Sequence, residues 1–199
     1  PVMNIDVPEF SRDKIGHVHN FVVIFGEEST NECQTPQQLM WFVDVTSEAH
    51  PMVVSNYGVP EESGHFCSRG GRFGTHSTNE YQPPMYAGRI VFVAHFNAGV
   101  RAIDVRDPFH PKELGYYIPA LTPRSDTRCI KLESGQDRCK AVIQTNNVEV
   151  DDRGYIYAVD RADTGMHILE LTGSARAVAD YSKAVHTLFG IDVEPANRD

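Results

Sequence analysis

The sequence predicts an all-β fold built from β-propeller blades, each a sheet of four antiparallel strands. Short runs of β-branched and aromatic residues recur along the chain, and Gly, Pro, Asn and Asp turn signals separate them. An acidic residue recurs inside one run of each repeat, at Asp44, Asp104 and Glu170, so that 60 residues separate the first two and 66 the last two. Recurrence of short strands at such a period is typical of propeller repeats. We therefore expect about three blades, as part of a larger ring.

The three repeat units can be followed in chain order, and each is an apolar run followed by a second run with the acidic residue. The first unit is "NFVVIFGEE" followed by "MWFVDVTSEAHPMVVSNYGVP". The second is "GRIVFVAHFNAG" followed by "VRAIDVRDPFHPKELGYYIPA", and the third is "GYIYAVDRADTG" followed by "MHILELTGSARAVADYSKAV". We expect a propeller segment over residues 1–183 and a C-terminal tail over 184–199. Within the segment, the blades fall at roughly 1–62, 72–120 and 141–183, and an inserted hairpin occupies 121–140.

Two alternatives to this organisation stay open. Regularly spaced short strands also suit a β-sandwich. The stretch "GSARAVADYSKAVHTLFG" places Ala175, Val178 and Ala179 on one face of a possible helix, which would cost the third blade its outer strand.

The second unit carries a characteristic set of strand and turn residues: Gly99, the run Ile103-Asp104-Val105, the turn Asp107-Pro108, Pro111 and Gly115. Through these residues it resembles the bacterial LVIVD repeat. The resemblance implies a propeller of cell-surface or exported bacterial proteins, and it implies no defined reaction. Since a closed ring usually needs ~4 to 8 blades, we expect the rest of the propeller, or another copy of the chain, to complete it. Both ends of the sequence are abrupt, and we expect them to be arbitrary.

Composition and charge exclude two classes of partner. The chain has 199 residues and a formal net charge of −9, without the clustered Lys and Arg that nucleic acids and anionic membranes require. Its longest apolar stretches, such as "RIVFVAHF", are far shorter than a membrane span. A small-molecule or protein ligand remains open.

The four cysteines predict disulfides. Cys129 and Cys139 flank a turn at Gly135, so a hairpin would bring them opposite one another. Cys33 and Cys67 lie in two other inserted loops and would pair by elimination, although unrelated free thiols are the alternative. None has the spacing of a thiol-based zinc site. Because disulfides persist in oxidising compartments, the pairs favour a periplasmic or extracellular location.

Strand direction predicts one polar face at the central channel. Because strands of a blade alternate in direction, the start of the first strand, the end of the second and the start of the third share one face of the disk. We expect this face to bind a ligand, although polar residues also simply mark strand ends. The candidate ligand-binding residues are Glu27, Asn146, Asn147, Asp160 and Arg161, and His76 and His95 lie at the same level.

Histidines at two places are candidate ligands of one divalent metal ion. His76 and His95 would be neighbours across an antiparallel pair at the channel mouth, with Asp160 or Glu27 behind a ring. His17 and His19 point the same way from one strand and are a second candidate pair, on the opposite face. The alternative is a half-exposed strand that happens to carry two histidines.

No standard catalytic signature is present in the sequence: it contains no GxSxG, P-loop, HExxH or GxGxxG. Two hypotheses follow. In the preferred one, the chain is an exported propeller module that binds a ligand or partner on its polar face. In the other, a His-ligated metal at the channel mouth makes it a metal-dependent oxidase or hydrolase, so whether it is an enzyme is left open.

Overall fold

The computed structural model describes residues 1–6 and 18–184, together with the backbone of 187–188 and 191–192. The described chain is all-β, and its main sheets are antiparallel with strands in sequence order. No closed sheet is formed by these residues. No helix among them is long and apolar enough to cross a bilayer.

Two four-stranded sheets and one three-stranded sheet form the body of the molecule. The first sheet consists of β1 (Val2–Asp6), β2 (Val18–Phe25), β3 (Met40–Asp44) and β4 (Met52–Tyr57). The second consists of β5 (Ser77–Thr78), β6 (Ile90–Ala94), β7 (Val100–Asp104) and β8 (Lys112–Tyr117). Next come the hairpin β9 (Thr127–Lys131) and β10 (Asp137–Ala141), and then the third sheet, with β11 (Thr145–Val150), β12 (Ile156–Asp160) and β13 (Met166–Leu169). Each expected blade segment thus contains one sheet, and the hairpin lies between the second and third.

Within the described residues, the third sheet has three strands and not the four expected from the repeat. In its place the chain forms the short helix α1 (Gly173–Arg176) and a 3₁₀ turn at Tyr181–Lys183. Ala175 and Val178 are buried in the core that joins the second and third sheets, in agreement with the helical alternative. The small residues of this stretch do not alternate with period two, so they suit a helical turn better than a strand. The backbone of β14 (Thr187–Leu188) and β15 (Ile191–Asp192) forms a separate pair.

The second sheet is the middle layer of a stack. Every residue of β6 is buried, which explains why "IVFVA" is continuously apolar instead of alternating. Alternate side chains of the second sheet face opposite ways, so one set packs on the first sheet and the other on the third. The contacts with the first sheet join Val91, Val93, Ile103 and Val105 to Met3, Ile5, Phe21, Val23, Met40 and Phe42. Those with the third join Phe92, Ala94, Val100 and Ala102 to Val148, Val150, Ile156 and Ala158.

In the part of the chain that the structure describes, the two end layers each leave an outer face uncovered. Ile24 and Trp41 are paired across β2 and β3, and both side chains are exposed on the first sheet. Met166 and Ile168 are exposed on the third sheet. The middle layer has no such apolar face, because a sheet covers each of its sides.

The turn after β6 explains the repeat glycine. The N–H of Gly99 donates to the carbonyl of Phe96 at 3.0 Å, and Gly99 has a φ of +76°. A Cβ at this position would lie 2.1 Å from the carbonyl oxygen of Tyr117. Only glycine fits both the backbone conformation and this close approach.

Both cysteine pairs lie at disulfide-bonding distance. Cys129 and Cys139 are directly opposite on the β9–β10 hairpin, and Cys33 is joined to Cys67 between two loops. The hairpin also reaches the first sheet's loop, because Lys140 Nζ lies 3.3 Å from a carboxylate oxygen of Glu32. The insertion therefore ties loops of distant segments together.

Candidate functional site

Polar ends of all three sheets meet at one edge of the stack. Glu27 follows β2, His76 precedes β5, Asn146 lies near the start of β11, and Arg161 follows β12. These are four of the residues that strand direction places on one face. Arg72 and Phe96 complete the group, which we call the rim cluster: Glu27, Arg72, His76, Phe96, Asn146 and Arg161.

Glu27 is the centre of the rim cluster. Its Oε1 lies 2.7 Å from Arg72 Nη1, 3.3 Å from Arg161 Nη1 and 3.7 Å from His76 Nε2. Partial burial acts to raise the pKa of this carboxyl, but hydrogen bonds and charge from Arg161, His76 and Arg72 hold the pKa below its ordinary value. Glu27 is therefore ionised at neutral pH.

Asn146 holds the other side of the cluster. Its side-chain oxygen accepts a hydrogen bond of 2.8 Å from Arg161 Nη1. Its backbone carbonyl accepts one of 2.6 Å from His76 Nδ1, which fixes that nitrogen as the donor, and another of 2.6 Å from the Ser77 hydroxyl. The start of the third sheet is thus fastened to the start of the second.

Phe96 is the apolar floor of the cluster. The centre of its ring lies 5.3 Å from the guanidinium carbon of Arg72, 5.6 Å from that of Arg161 and 5.2 Å from the centre of the His76 ring. Phe96 is fully buried and has a φ of +43°, a conformation that is strained for a bulky side chain. The turn therefore holds an aromatic ring where both arginines can pack on it.

Arg72 reaches the cluster from a tight loop crossing. Gly71 just before it has a φ of +71°, and a Cβ there would lie 2.5 Å from the side-chain amide of Gln144. The Arg72 N–H donates to Gln144 Oε1, and its carbonyl accepts from the Asn97 N–H, at 3.2 Å each. The "RGGRFG" loop thus positions an arginine by close backbone contact.

The remaining donors of both arginines are free for a ligand. All side-chain hydrogen bonds that Arg72 and Arg161 make within the described residues use Nη1. A guanidinium has five N–H donors, so Nε and Nη2 of each arginine are unused. About a quarter of the Arg72 side chain and more than a third of that of Arg161 are exposed. Two cations around one carboxylate leave a local excess of positive charge.

Two of the expected ligand-binding residues, Asp160 and Asn147, are not members of the rim cluster. Asp160 is buried, and its two carboxylate oxygens each accept a hydrogen bond of 2.7 Å, from the N–H groups of Gln144 and Ala162. Both oxygens hold the backbone of the surrounding loop, and a role of Asp160 in ligand binding stays a prediction. Asn147 is exposed, and its side-chain oxygen accepts a hydrogen bond from the Asn146 amide, so it lies at the margin of the rim cluster.

His95 lies away from the rim cluster. Its ring is fully buried, 5.2 Å from the ring of Phe73, and its Nε2 lies 3.2 Å from Gln37 Nε2. Burial lowers the pKa of His95 to about 3, so the ring is neutral. His76 and His95 bind separate partners, which does not support a shared metal site. The side chain of His95 packs beneath the loop at Phe73 because the chain turns immediately after it.

Of the second candidate metal pair, the structure describes His19 alone. His19 is buried at the other end of β2 from Glu27, with its Nδ1 2.7 Å from Asp44 Oδ2. His17 lies outside the described residues. Among the residues that the structure describes, no group of three or more His, Cys, Asp or Glu side chains is placed to hold a metal ion. The metal-dependent hypothesis therefore gains no support from this part of the chain.

No protein-family model matches the chain, and no curated protein matches it. The LVIVD resemblance therefore remains an inference from the repeat motif.

Sequence reasoning missed two members of the rim cluster. Arg72 lies four residues before His76, in a glycine-rich loop that the sequence analysis does not place on the polar face. Phe96 directly follows His95, and the search for polar residues at strand ends chose His95 instead. Each could have been found from a turn signal beside it. The glycine pair before Arg72 and the "NAG" turn after Phe96 both return the chain to the edge of a sheet.

Proposed function

We propose that the chain is a sector of an LVIVD-type β-propeller, exported from the cell, that binds a small anionic ligand at the rim cluster. The observation that carries the ligand class is the convergence of Arg72 and Arg161 on one oxygen of Glu27. A carboxylate or phosphate group of a ligand would accept hydrogen bonds from the unused donors of the same arginines.

The stacked sheets support the propeller interpretation. Successive antiparallel sheets pack face to face, and their strand ends meet at the edge that carries the rim cluster. In a propeller, that edge corresponds to the mouth of the channel, where ligands commonly bind. The uncovered apolar faces of the first and third sheets fit a sector that further blades or a second copy would complete.

The cysteine pairs support export. Disulfides form and persist in the periplasm and outside the cell, and they are rare in reducing compartments. Every cysteine of the sequence belongs to one of the two pairs. The compartment proposed is therefore periplasmic or extracellular.

Preorganisation supports binding at the rim cluster in particular. The Phe96 ring and Asn146 already hold the guanidinium groups, so little side-chain freedom is lost when a ligand binds. Glu27 neutralises part of the charge in the absence of ligand and competes with the incoming anion. This competition makes Glu27 the most informative position to change.

Isothermal titration calorimetry with citrate and with inorganic phosphate, at constant ionic strength, tests the proposal. We expect binding to the wild type, at least tenfold weaker binding to the Arg72→Gln and Arg161→Gln double variant, and tighter binding to Glu27→Gln. Arg128→Gln is the matched control, because Arg128 pairs with Asp126 on the distant hairpin. Absence of binding to the wild type, or equal binding by the double variant and the control, would show that the proposal is wrong.

A further inference from the structure

A cavity lies beside the outer strands of the first two sheets, and none of its lining residues belongs to the rim cluster. Its volume is about 440 Å³, within the range of small-molecule sites. The end of β4, the 3₁₀ turns at Glu61–Ser63 and Phe66–Ser68, and strands β7 and β8 surround it. The side chains that matter below are Phe66, Arg69, Arg101, Glu113 and Tyr116.

Arg101 carries a buried donor without a partner on the wall of this cavity. The side chain is 4% exposed; its Nε donates to the carbonyl of Ala98 at 3.0 Å, and its Nη1 to the Glu113 carboxylate at 3.2 Å. Nη2 is buried and makes no hydrogen bond. An unsatisfied buried donor destabilises the fold, and more so on a charged group, unless something else accepts its hydrogen bond.

A second guanidinium faces the same aromatic ring. The carbon of the Arg69 guanidinium lies 4.7 Å from the centre of the Phe66 ring, and that of Arg101 lies 5.5 Å from it. The Arg69 side chain makes no hydrogen bond or ion pair within the described residues. Glu113 is already paired with Arg101 and accepts a hydrogen bond of 2.5 Å from the Tyr57 hydroxyl. Arg69, Arg101 and Glu113 together therefore carry a formal charge of +1.

The rest of the cavity wall is aromatic and aliphatic. Tyr116 lies against Arg101, with the guanidinium carbon 4.5 Å from the centre of its ring, and the residue is 65% exposed. Phe66, Val59 and Ile118 line the cavity as well. A ligand that fits this wall needs a group that accepts hydrogen bonds from the arginines and an apolar part that packs against the aromatic rings.

The cavity is held open by fixed backbone. Asn97 Nδ2 donates to the carbonyls of Phe66 and Gly70, at 2.8 and 2.9 Å, and the Cys33–Cys67 disulfide anchors the same loop. Phe66 itself stacks on Phe73 with ring centres 4.9 Å apart. The wall that carries Arg69 is therefore preformed, which lowers the entropic cost of binding.

We propose that this cavity binds a small organic carboxylate. The carboxylate lies between Arg69 and Arg101 and accepts from Nη2 of Arg101, and the apolar body packs against Phe66 and Tyr116. The exposed Tyr116 ring turns aside to admit the ligand. The site is independent of the rim cluster and does not rest on the function proposed there.

The test is an NMR titration of the ¹⁵N-labelled chain with sodium benzoate, using benzamide as the neutral analogue. We expect saturable amide shifts in residues 57–69 and 113–118, with a Kd on the order of millimolar for a probe of this size. Benzamide should bind at least tenfold more weakly. Equal shifts with benzamide, shifts confined to the rim cluster, or no saturable shift would overturn the proposal.

Variants separate the carboxylate contact from the fold. Arg69→Gln changes an exposed residue, so we expect a folded protein with at least tenfold weaker benzoate binding. Arg101→Lys keeps the charge beside Glu113 but removes the Nη2 donor, and it should weaken benzoate and leave benzamide unchanged. Arg128→Gln on the hairpin is the control that should bind benzoate as the wild type does, because Arg128 pairs with Asp126 and belongs to neither site. Wild-type affinity in Arg69→Gln would contradict the proposal even if Arg101→Lys failed to fold.

Discussion

Phe96 and Thr145 exchange a pair of backbone hydrogen bonds, each 3.1 Å long, although Phe96 follows a strand of the second sheet and Thr145 begins the third. This bridge fixes the backbone that carries the buried ring. It explains how a bulky residue is held with a positive φ at the edge of two sheets, and why both arginines of the rim cluster find the ring in one place.

Removal of the Phe96 ring should destabilise the protein strongly. Phe96→Ala leaves a cavity beneath Arg72 and Arg161, and we expect a loss of about 3 to 5 kcal/mol in the free energy of unfolding, measured in urea. Val159→Ala removes an exposed apolar side chain and should change the stability by about 0.5 kcal/mol or less. A similar loss in the free energy of unfolding for the two variants would contradict the role of Phe96 as the buried ring beneath the arginines.

His95 should make the protein acid-sensitive well above the range in which carboxylates titrate. Its pKa is about 3 in the fold against an ordinary 6.5, so the unfolded chain binds the proton first as the pH falls. Stability is then lost below pH 6.5 and continues to fall towards pH 3. From linkage we expect a loss of about 2 kcal/mol between pH 7 and pH 5 from this group.

The His95 prediction is checked by urea unfolding at pH 7 and pH 5. His95→Gln should be less stable at pH 7 but should lose about 2 kcal/mol less than the wild type on acidification. His110→Gln serves as the control, since His110 is largely exposed and pairs with Asp107 at the surface. A wild-type pH dependence in His95→Gln would mean that another group causes it.

The two disulfides should differ in their contribution to stability. Replacement of Cys33 and Cys67 by Ala opens a link across 34 residues, whereas Cys129 and Cys139 are 10 residues apart. Chain entropy predicts losses of about 4 and about 3 kcal/mol. Urea unfolding measures both, and the Cys33 and Cys67 variant alone should also weaken benzoate binding. The reverse order of stability would show that strain or residual structure dominates.

The uncovered outer faces should cause self-association. If the first sheet of one copy packs on the third sheet of another, light scattering after gel filtration should give a mass above the 22.2 kDa of one chain. Ile24→Lys and Ile168→Lys change exposed residues on the two faces, and each should yield a monomer. Glu133→Lys on the hairpin is the control. A monomeric wild type at high concentration would argue against completion of the ring by a second copy.

Strand direction was sufficient to place Glu27, His76, Asn146 and Arg161 on one edge, because alternation of direction is a property of any antiparallel sheet. It was insufficient for His95 and Asp160, whose side chains leave that edge. The ring of His95 turns under a loop whose course depends on contacts distant in sequence. Asp160 caps backbone N–H groups that only the folded loop brings to it.

The strand pattern also predicted the number of main sheets, but it did not predict the number of strands in the third sheet. The run of β6 is continuously apolar because this strand is buried on both faces. The third sheet ends after β13 because the residues from Gly173 fold as helical turns, an alternative that local spacing had left undecided. The cavity beside Arg101 has no sequence signal, since its wall combines a loop with strands from two sheets.

The hydrogen bond between Arg161 and Glu27 spans 134 residues of chain. During synthesis or export, the rim cluster cannot form until the strand before Arg161 has emerged and docked on the two earlier sheets. Contacts this distant in sequence form late and slowly in folding. A nascent or truncated chain would therefore be unable to engage its anion, and ligand capture would report that folding of the last sheet is complete.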